Sequence, residues 1–262
     1  MMKVINEPST NEWASIIERP AIDASHLNDK VNVIINEVVV DGDAALKKFT
    51  LQFDRVSINE FKVTAEKIAA AENLISAGLK TAIQLAKVNI EVFHNSQIQQ
   101  VDRIETMPGV WCWRKSVGIE KVGIYIPGGS APLFSTVLML GVPAKMAGCK
   151  EIILCTPPNE QGDIHPAILY AASLVGVTAI YSVGGAQAIA AMAYGTAIIP
   201  KVYKIFGPGN QYVTVAKQLA TQYQVSIDMP AGPSELMVVA DASANAEVPI
   251  FDFELTVSLK VC

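Results

Sequence analysis

The sequence predicts an α/β fold, with a helical N-terminal region leading into a parallel sheet covered by helices on both faces. Three observations predict it. From Val110 onward, short apolar runs end at glycines and are followed by small-residue helical stretches, the alternation of a βαβ layer. Four glycine turns fall where those runs stop. Between Ile164 and Pro200 there is no Asp, Glu, Lys or Arg, yet Gly176, Gly184, Gly185 and Gly195 interrupt the stretch, which suits buried strands and Ala-rich helices better than a membrane span.

In the N-terminal part, Ser9-Thr10-Asn11-Glu12 reads as a capping box before an apolar face of Trp13, Ile16 and Ile17. Residues 27–40 form a second helical candidate, which Asp41-Gly42-Asp43 breaks. A third runs over 44–53, with Ala45, Leu46, Phe49 and Phe53 on one side. Thr64 caps a helix toward Ala77, and residues 80–97 carry Ile83, Leu85, Ala86, Ile90 and Phe93 at helical spacing. Met107-Pro108-Gly109 closes this part. Strands are then predicted at 121–126, 151–156, 179–183, 202–206, 225–228 and 236–240, with helices at 131–147, 166–175, 186–194 and 211–222.

Composition narrows the function. A length of 262 residues admits one large domain or two smaller ones. The net charge of −5 and the dispersed Lys and Arg offer no stripe to neutralise a phosphate backbone, which argues against nucleic acid. Cys112, Cys149, Cys155 and Cys262 form no C-x-x-C pair, so neither a disulfide framework nor a zinc finger is indicated. The opening MMKVINEPSTNEW has no apolar signal region, and a cytoplasmic location is expected, with no membrane partner.

The glycine turns are Pro127-Gly128-Gly129-Ser130, Gly184-Gly185-Ala186-Gln187, Gly207-Pro208-Gly209-Asn210 and Ala231-Gly232-Pro233-Ser234. Ligands of open α/β sheets bind beyond the carboxyl ends of the strands, where glycine lets backbone N–H groups approach an anion. None is a G-x-G-x-x-G fingerprint, because Tyr212 stands where the third glycine would fall in the Gly207 turn. Each turn alone also suits a tight connection without a ligand.

The stretch Val122-Gly123-Ile124-Tyr125-Ile126-Pro127-Gly128-Gly129-Ser130-Ala131-Pro132-Leu133-Phe134, continuing to Leu140, resembles the signature of the histidinol dehydrogenases. Val183-Gly184-Gly185-Ala186-Gln187-Ala188, Lys204-Ile205-Phe206-Gly207-Pro208-Gly209-Asn210 and Ile227-Asp228-Met229-Pro230-Ala231-Gly232-Pro233-Ser234-Glu235 follow in that family's order. Gly42-Asp43-Ala44-Ala45-Leu46 and Asn89-Ile90-Glu91-Val92-Phe93-His94 are similar as well, so the resemblance covers about residues 31–241.

The resemblance implies a fold like that of aldehyde dehydrogenases, with incomplete Rossmann-like lobes. A tail (1–20) would precede a first lobe (21–121, rejoined by 236–262) and a cofactor lobe (122–235). It also implies oxidation of L-histidinol to L-histidine through an aldehyde, with NAD and zinc, in an intertwined homodimer. The family's NAD contacts fall on Tyr125, Gln187 and Asn210, and a substrate contact falls on Ser234. Tyr can pack on or hydrogen-bond a cofactor, and the two amides can both donate and accept.

Past Asp241 the sequence departs from that pattern. The family's zinc-binding Gln and His, and its Glu-His acid/base pair, have no counterparts in residues 248–262. His26, His94 and His165 are isolated and read as surface or structural histidines. The expectation is therefore a truncated chain that keeps the cofactor residues, binds no zinc and is inactive alone. The alternative is a non-catalytic NAD-binding or dimerisation module. An aldehyde dehydrogenase relative is disfavoured, since no cysteine sits in a nucleophile setting.

Overall fold

The computed structural model describes residues 5–18, 25–98, 101–129 and 131–229. Its centre is a five-stranded parallel sheet of β3 (Lys121–Tyr125), β4 (Glu151–Thr156), β5 (Ala179–Ser182), β6 (Lys204–Phe206) and β7 (Ser226–Ile227), in the spatial order β5-β4-β3-β6-β7. The chain steps outward from β3 through β4 to β5, then returns to β3's other side for β6 and β7. The order therefore reverses between β3 and β6, and a crevice must open there between diverging loops. Ile124 lies opposite Phe206 across that junction, and Tyr125 opposite Cys155 on the other side.

Alternation along the strands assigns the two faces. Val122, Ile124, Ile126, Ile152, Leu154 and Ile180 point into one core with α6 (Phe134–Met146) and α7 (Pro166–Val175). Ile153, Cys155, Tyr181 and Ile205 point into the other with α8 (Gly185–Tyr194) and α9 (Gln211–Ala220). Helices of the N-terminal region add a further layer on each side. α2 (Ser25–Asp41) presents Leu27, Val31, Ile34, Ile35 and Val38, a helical stripe, to α8 and α9. α5 (Ala77–Asn95) packs on α6, with Ile83 buried.

Most boundaries follow local chemistry. The 44–53 prediction is α3 (Asp43–Phe49) continued by a π-helical turn, Thr50–Asp54. Thr64 caps α4 (Ala65–Ala70) by accepting from Lys67 N–H at 3.3 Å, but that helix tightens into a 3-10 turn ending at Leu74. Ser76 then caps α5 anew, accepting from Leu79 N–H at 3.2 Å, so α5 starts three residues before the predicted 80. The capping box of α1 (Thr10–Ile17) is formed, with Ser9 N–H donating to Glu12 Oε2 at 2.9 Å.

On the apolar face of α1, Trp13 and Ile17 are exposed and Ile16 is half-buried. One expectation needs correction. A hairpin of β1 (Ile104–Met107) and β2 (Val110–Cys112) occupies the region read only as the end of the helical part. Both of its strands are exposed throughout, so no period-2 alternation announced them. The predicted strand 236–240 lies outside the described residues, as does the rejoining segment 236–262.

The edge of β5 is closed by a short antiparallel segment. Ser182 N–H donates to Phe61 O at 2.8 Å and Val63 N–H to Ile180 O at 2.9 Å, which covers polar groups that would otherwise template pairing with another chain. Among the described residues, no helix is long and apolar enough to cross a membrane.

Candidate functional site

Glycine is required where the turns at the carboxyl ends of the strands close on one another. A Cβ on Gly128 would lie 2.7 Å from Pro157 Cγ, and one on Gly184 would lie 2.5 Å from Pro157 Cβ. The turns after β3 and β5 are therefore both seated on the proline that follows β4. Gly207 has φ +127, and a Cβ there would lie 2.0 Å from Tyr125 O, so the turn after β6 touches the end of β3 backbone to backbone. The turns after β3 and β6 thus border the switch point where a ligand crevice is expected, and the turn after β5 adjoins them across Pro157.

Tyr125 ends β3 and is buried. Its hydroxyl oxygen accepts from Gly185 N–H at 3.0 Å, linking β3 to the first residue of α8. Burial pushes this hydroxyl up to about 12; the Gly185 bond opposes the rise and the nearby Asp54 carboxylate adds to it. Tyr125 therefore keeps its proton at neutral pH and can still donate.

Gln187, two residues into α8 from Gly185, is 1 % exposed, and neither its Nε2 nor its Oε1 has a hydrogen-bond partner among the described residues. An amide left dry and unpaired costs about 1–3 kcal/mol, so this group needs an explanation beyond packing. Asn210 is the N-cap of α9, and its Oδ1 accepts from Val213 N–H at 3.1 Å. The side chain is exposed, and the cap leaves its amide hydrogens for another acceptor. Ser234 and its turn lie outside the described residues.

Two further features had no sequence signal. Lys217, on α9, is 4 % exposed; its Nζ donates to Gly207 O at 2.8 Å and to Asp228 Oδ1. Asp228 Oδ2 accepts from Gly207 N–H at 2.8 Å. A lysine in a helical stretch reads as solvated until the fold places a carboxylate under it. Asp54, at the end of the π-helical turn, keeps Oδ2 buried without a partner among the described residues, and burial pushes its carboxyl up to about 6.

A separate cavity of about 510 Å³ lies at the β5 edge, between Phe61–Thr64 and the 159–166 loop. Ser182 lines it, but Tyr125, Gln187 and Asn210 do not. Two of the isolated histidines have local roles: His165 Nδ1 accepts from Ala167 N–H at 3.1 Å as the cap of α7, and His94 Nδ1 lies 2.8 Å from Gln97 Oε1. Cys155 is fully buried and burial pushes its thiol far up, which rules it out as a ready nucleophile. No group of three or more His, Cys, Asp or Glu among the described residues could hold a metal ion.

Residues 17–254 match the family model of histidinol dehydrogenase. The chain belongs to the histidinol dehydrogenase family. The match extends beyond both ends of the 31–241 resemblance. The histidinol dehydrogenase of Bacteroides thetaiotaomicron is 61% identical over 251 residues, covering 96% of this chain and 58% of that protein. That of Xylella fastidiosa is 51% identical, covering 93% and 58%. The crystal structure of histidinol dehydrogenase from Elizabethkingia anophelis superposes with a TM-score of 0.88 at 53% identity, covering 93% of this chain and 56% of that one. The chain thus spans about 58% of the length of the curated relatives it matches. Within this histidinol dehydrogenase framework, the α/β reading and the parallel sheet agree with the structure.

Proposed function

We propose that this chain is the NAD-holding part of a histidinol dehydrogenase, which oxidises L-histidinol to L-histidine in histidine biosynthesis. The observation that carries the reading is the buried Gln187 amide, without a partner among the described residues and set at the N-terminus of α8 beside Gly185 and its Tyr125 tie. A dry amide with both its donor nitrogen and its acceptor oxygen open, at the carboxyl edge of a parallel sheet, suits the hydroxyl or carboxamide groups of a dinucleotide. Tyr125 and Asn210, on the neighbouring turns, complete the proposed cofactor contacts, and residues 122–235 form the proposed cofactor lobe. Bound NAD would supply the hydride acceptor.

In this reading the protein's own work is placement. Tyr125 keeps a proton for donation, Asn210 offers amide hydrogens, and the glycine turns let backbone N–H groups come close. Ser234 is the proposed substrate contact. The described residues do not offer a zinc-binding set, so no step through zinc is assigned to them. We also propose a cytoplasmic location and a homodimer; the exposed Met107, Val110 and Trp111 of the hairpin, with Trp113 just after it, support a covered surface there.

Calorimetric titration with NAD, paired with a histidinol-dependent NAD reduction assay, tests the proposal. Gln187→Met should weaken NAD binding at least tenfold while raising stability by about 1–2 kcal/mol, because it removes an unpaired buried amide at similar volume. Unchanged NAD affinity in that variant would overturn the assignment. Turnover by this chain alone would overturn the expectation that it is inactive, and NAD affinity with a stable, monodisperse fold would favour a non-catalytic NAD-binding or dimerisation module.

A further inference from the structure

We propose that the Lys217–Asp228 pair is a positioning device for the cofactor turn, and that NAD affinity depends on it. This inference rests on the NAD reading above and concerns residues that do not themselves touch the cofactor. Its basis is that one pair, a buried lysine and a half-buried aspartate, satisfies both backbone polar groups of a single residue. Lys217 Nζ donates to Gly207 O at 2.8 Å, and Asp228 Oδ2 accepts from Gly207 N–H at 2.8 Å. The pair itself is closed between Lys217 Nζ and Asp228 Oδ1.

Gly207 is an uncommon residue to grip so fully. At φ +127 it turns the chain from β6 toward α9, and it lies so close to Tyr125 that no Cβ fits between them. Three residues later Asn210 caps α9, and Lys217 reaches back along that helix to the turn that starts it. Shifting Gly207 therefore moves Asn210 relative to Tyr125, two of the three proposed cofactor contacts. Asp228 is itself anchored to the sheet, its N–H donating to Ile205 O at 3.2 Å, so the clamp is referenced to β6 rather than to a loop.

Stability is a poor reason for such a pair. Desolvating a lysine ammonium offsets much of what its partner returns, and buried pairs are commonly replaced by apolar residues at little loss. What an apolar replacement cannot do is hold a backbone carbonyl and its own N–H at once. In sequence, the pair also connects two stretches of the proposed site. Asp228 opens the 228–234 stretch that leads to Ser234, while Gly207 opens the turn that leads to Asn210.

The experiment compares NAD titrations of the full 262-residue chain with those of Lys217→Met, Asp228→Asn and the double variant, well below each unfolding midpoint. The single Lys217→Met variant should lose stability, because it strands a carboxylate, and should bind NAD at least fivefold more weakly. The double variant removes the stranded charge and should recover much of the midpoint. Its NAD affinity should stay at least fivefold low, because Gly207 O has lost its donor. Affinity that recovers together with the midpoint, or a loss under fivefold in the double variant, shows a merely structural pair and overturns the inference. If the single variants do not fold, the double variant carries the test. Failure of the unsubstituted chain to bind NAD would overturn the cofactor reading, and this inference with it; binding that is equal in all variants would overturn this inference alone.

Discussion

Asp54 and Tyr125 illustrate how burial tunes single groups beside the crevice. Both are pushed toward their protonated forms, Tyr125 to about 12 and Asp54 to about 6, chiefly by desolvation. For Asp54 the consequence for stability has a definite sign. Below its ordinary value of 3.8 the carboxyl is protonated whether the chain is folded or not, and above about 6 it is ionised in both. Between those limits the folded state holds a proton the unfolded state has released, so stability falls as pH rises through that window. Allowing for its partial exposure, the loss is roughly 1 kcal/mol. Asp54→Asn should therefore raise stability at pH 7 by about that much and flatten the slope between pH 4 and 6. Denaturant titrations at pH 4.5 and pH 7 check this; an unchanged slope would mean that the carboxylate is better solvated than its setting indicates.

Asn210 joins two functions within one element. Its Oδ1 caps α9, while its amide hydrogens are proposed to face NAD. Serine caps a helix about as well as asparagine but has no amide, so Asn210→Ser separates the two roles. Asn210→Ser should unfold within about 0.5 kcal/mol of the parent yet bind NAD several-fold more weakly, whereas Asn210→Ala should also lose about 1 kcal/mol of stability. Thermal unfolding and NAD titration of the two variants decide this, and a serine variant with full affinity would leave Asn210 as a cap only. The same elements show what the sequence can and cannot disclose. The sheet was legible because β3 and β4 are apolar runs bounded by turn residues, and the predicted 166–175 helix coincides with α7 because Pro166 starts it and Gly176 ends it. The β1–β2 hairpin was not, because neither of its faces is buried and alternation had nothing to encode. The proposal of Tyr125, Gln187 and Asn210 as cofactor contacts rests on resemblance, whereas the lack of a partner for Gln187 among the described residues and the grip of Lys217 and Asp228 on Gly207 depend on residues brought together only by folding.

At the scale of the whole molecule, the three proposed cofactor contacts lie beyond the carboxyl ends of the strands: Tyr125 and Asn210 flank the reversal between β3 and β6, and Gln187 follows the edge strand β5, tied to Tyr125 through Gly185. Helices from the N-terminal region pack on both sides of that sheet, α2 against α8 and α9 and α5 against α6, so ligand energy delivered at the edge is felt by the core that these layers share. A ligand that binds only the folded state stabilises it by an amount set by its concentration over its dissociation constant, about 2.7 kcal/mol at a hundredfold ratio. For a chain of this size that corresponds to a rise in midpoint of roughly 5–10 °C. Hydrogen exchange should locate the effect. NAD should slow exchange in the segments around Tyr125, Gly185–Gln187 and Gly207–Asn210, where the turns meet, and leave the exposed β1–β2 hairpin unchanged. Protection that appeared first around Phe61–Thr64 and Ser182 would instead place the ligand in the 510 Å³ cavity at the β5 edge and move the binding site away from the switch point.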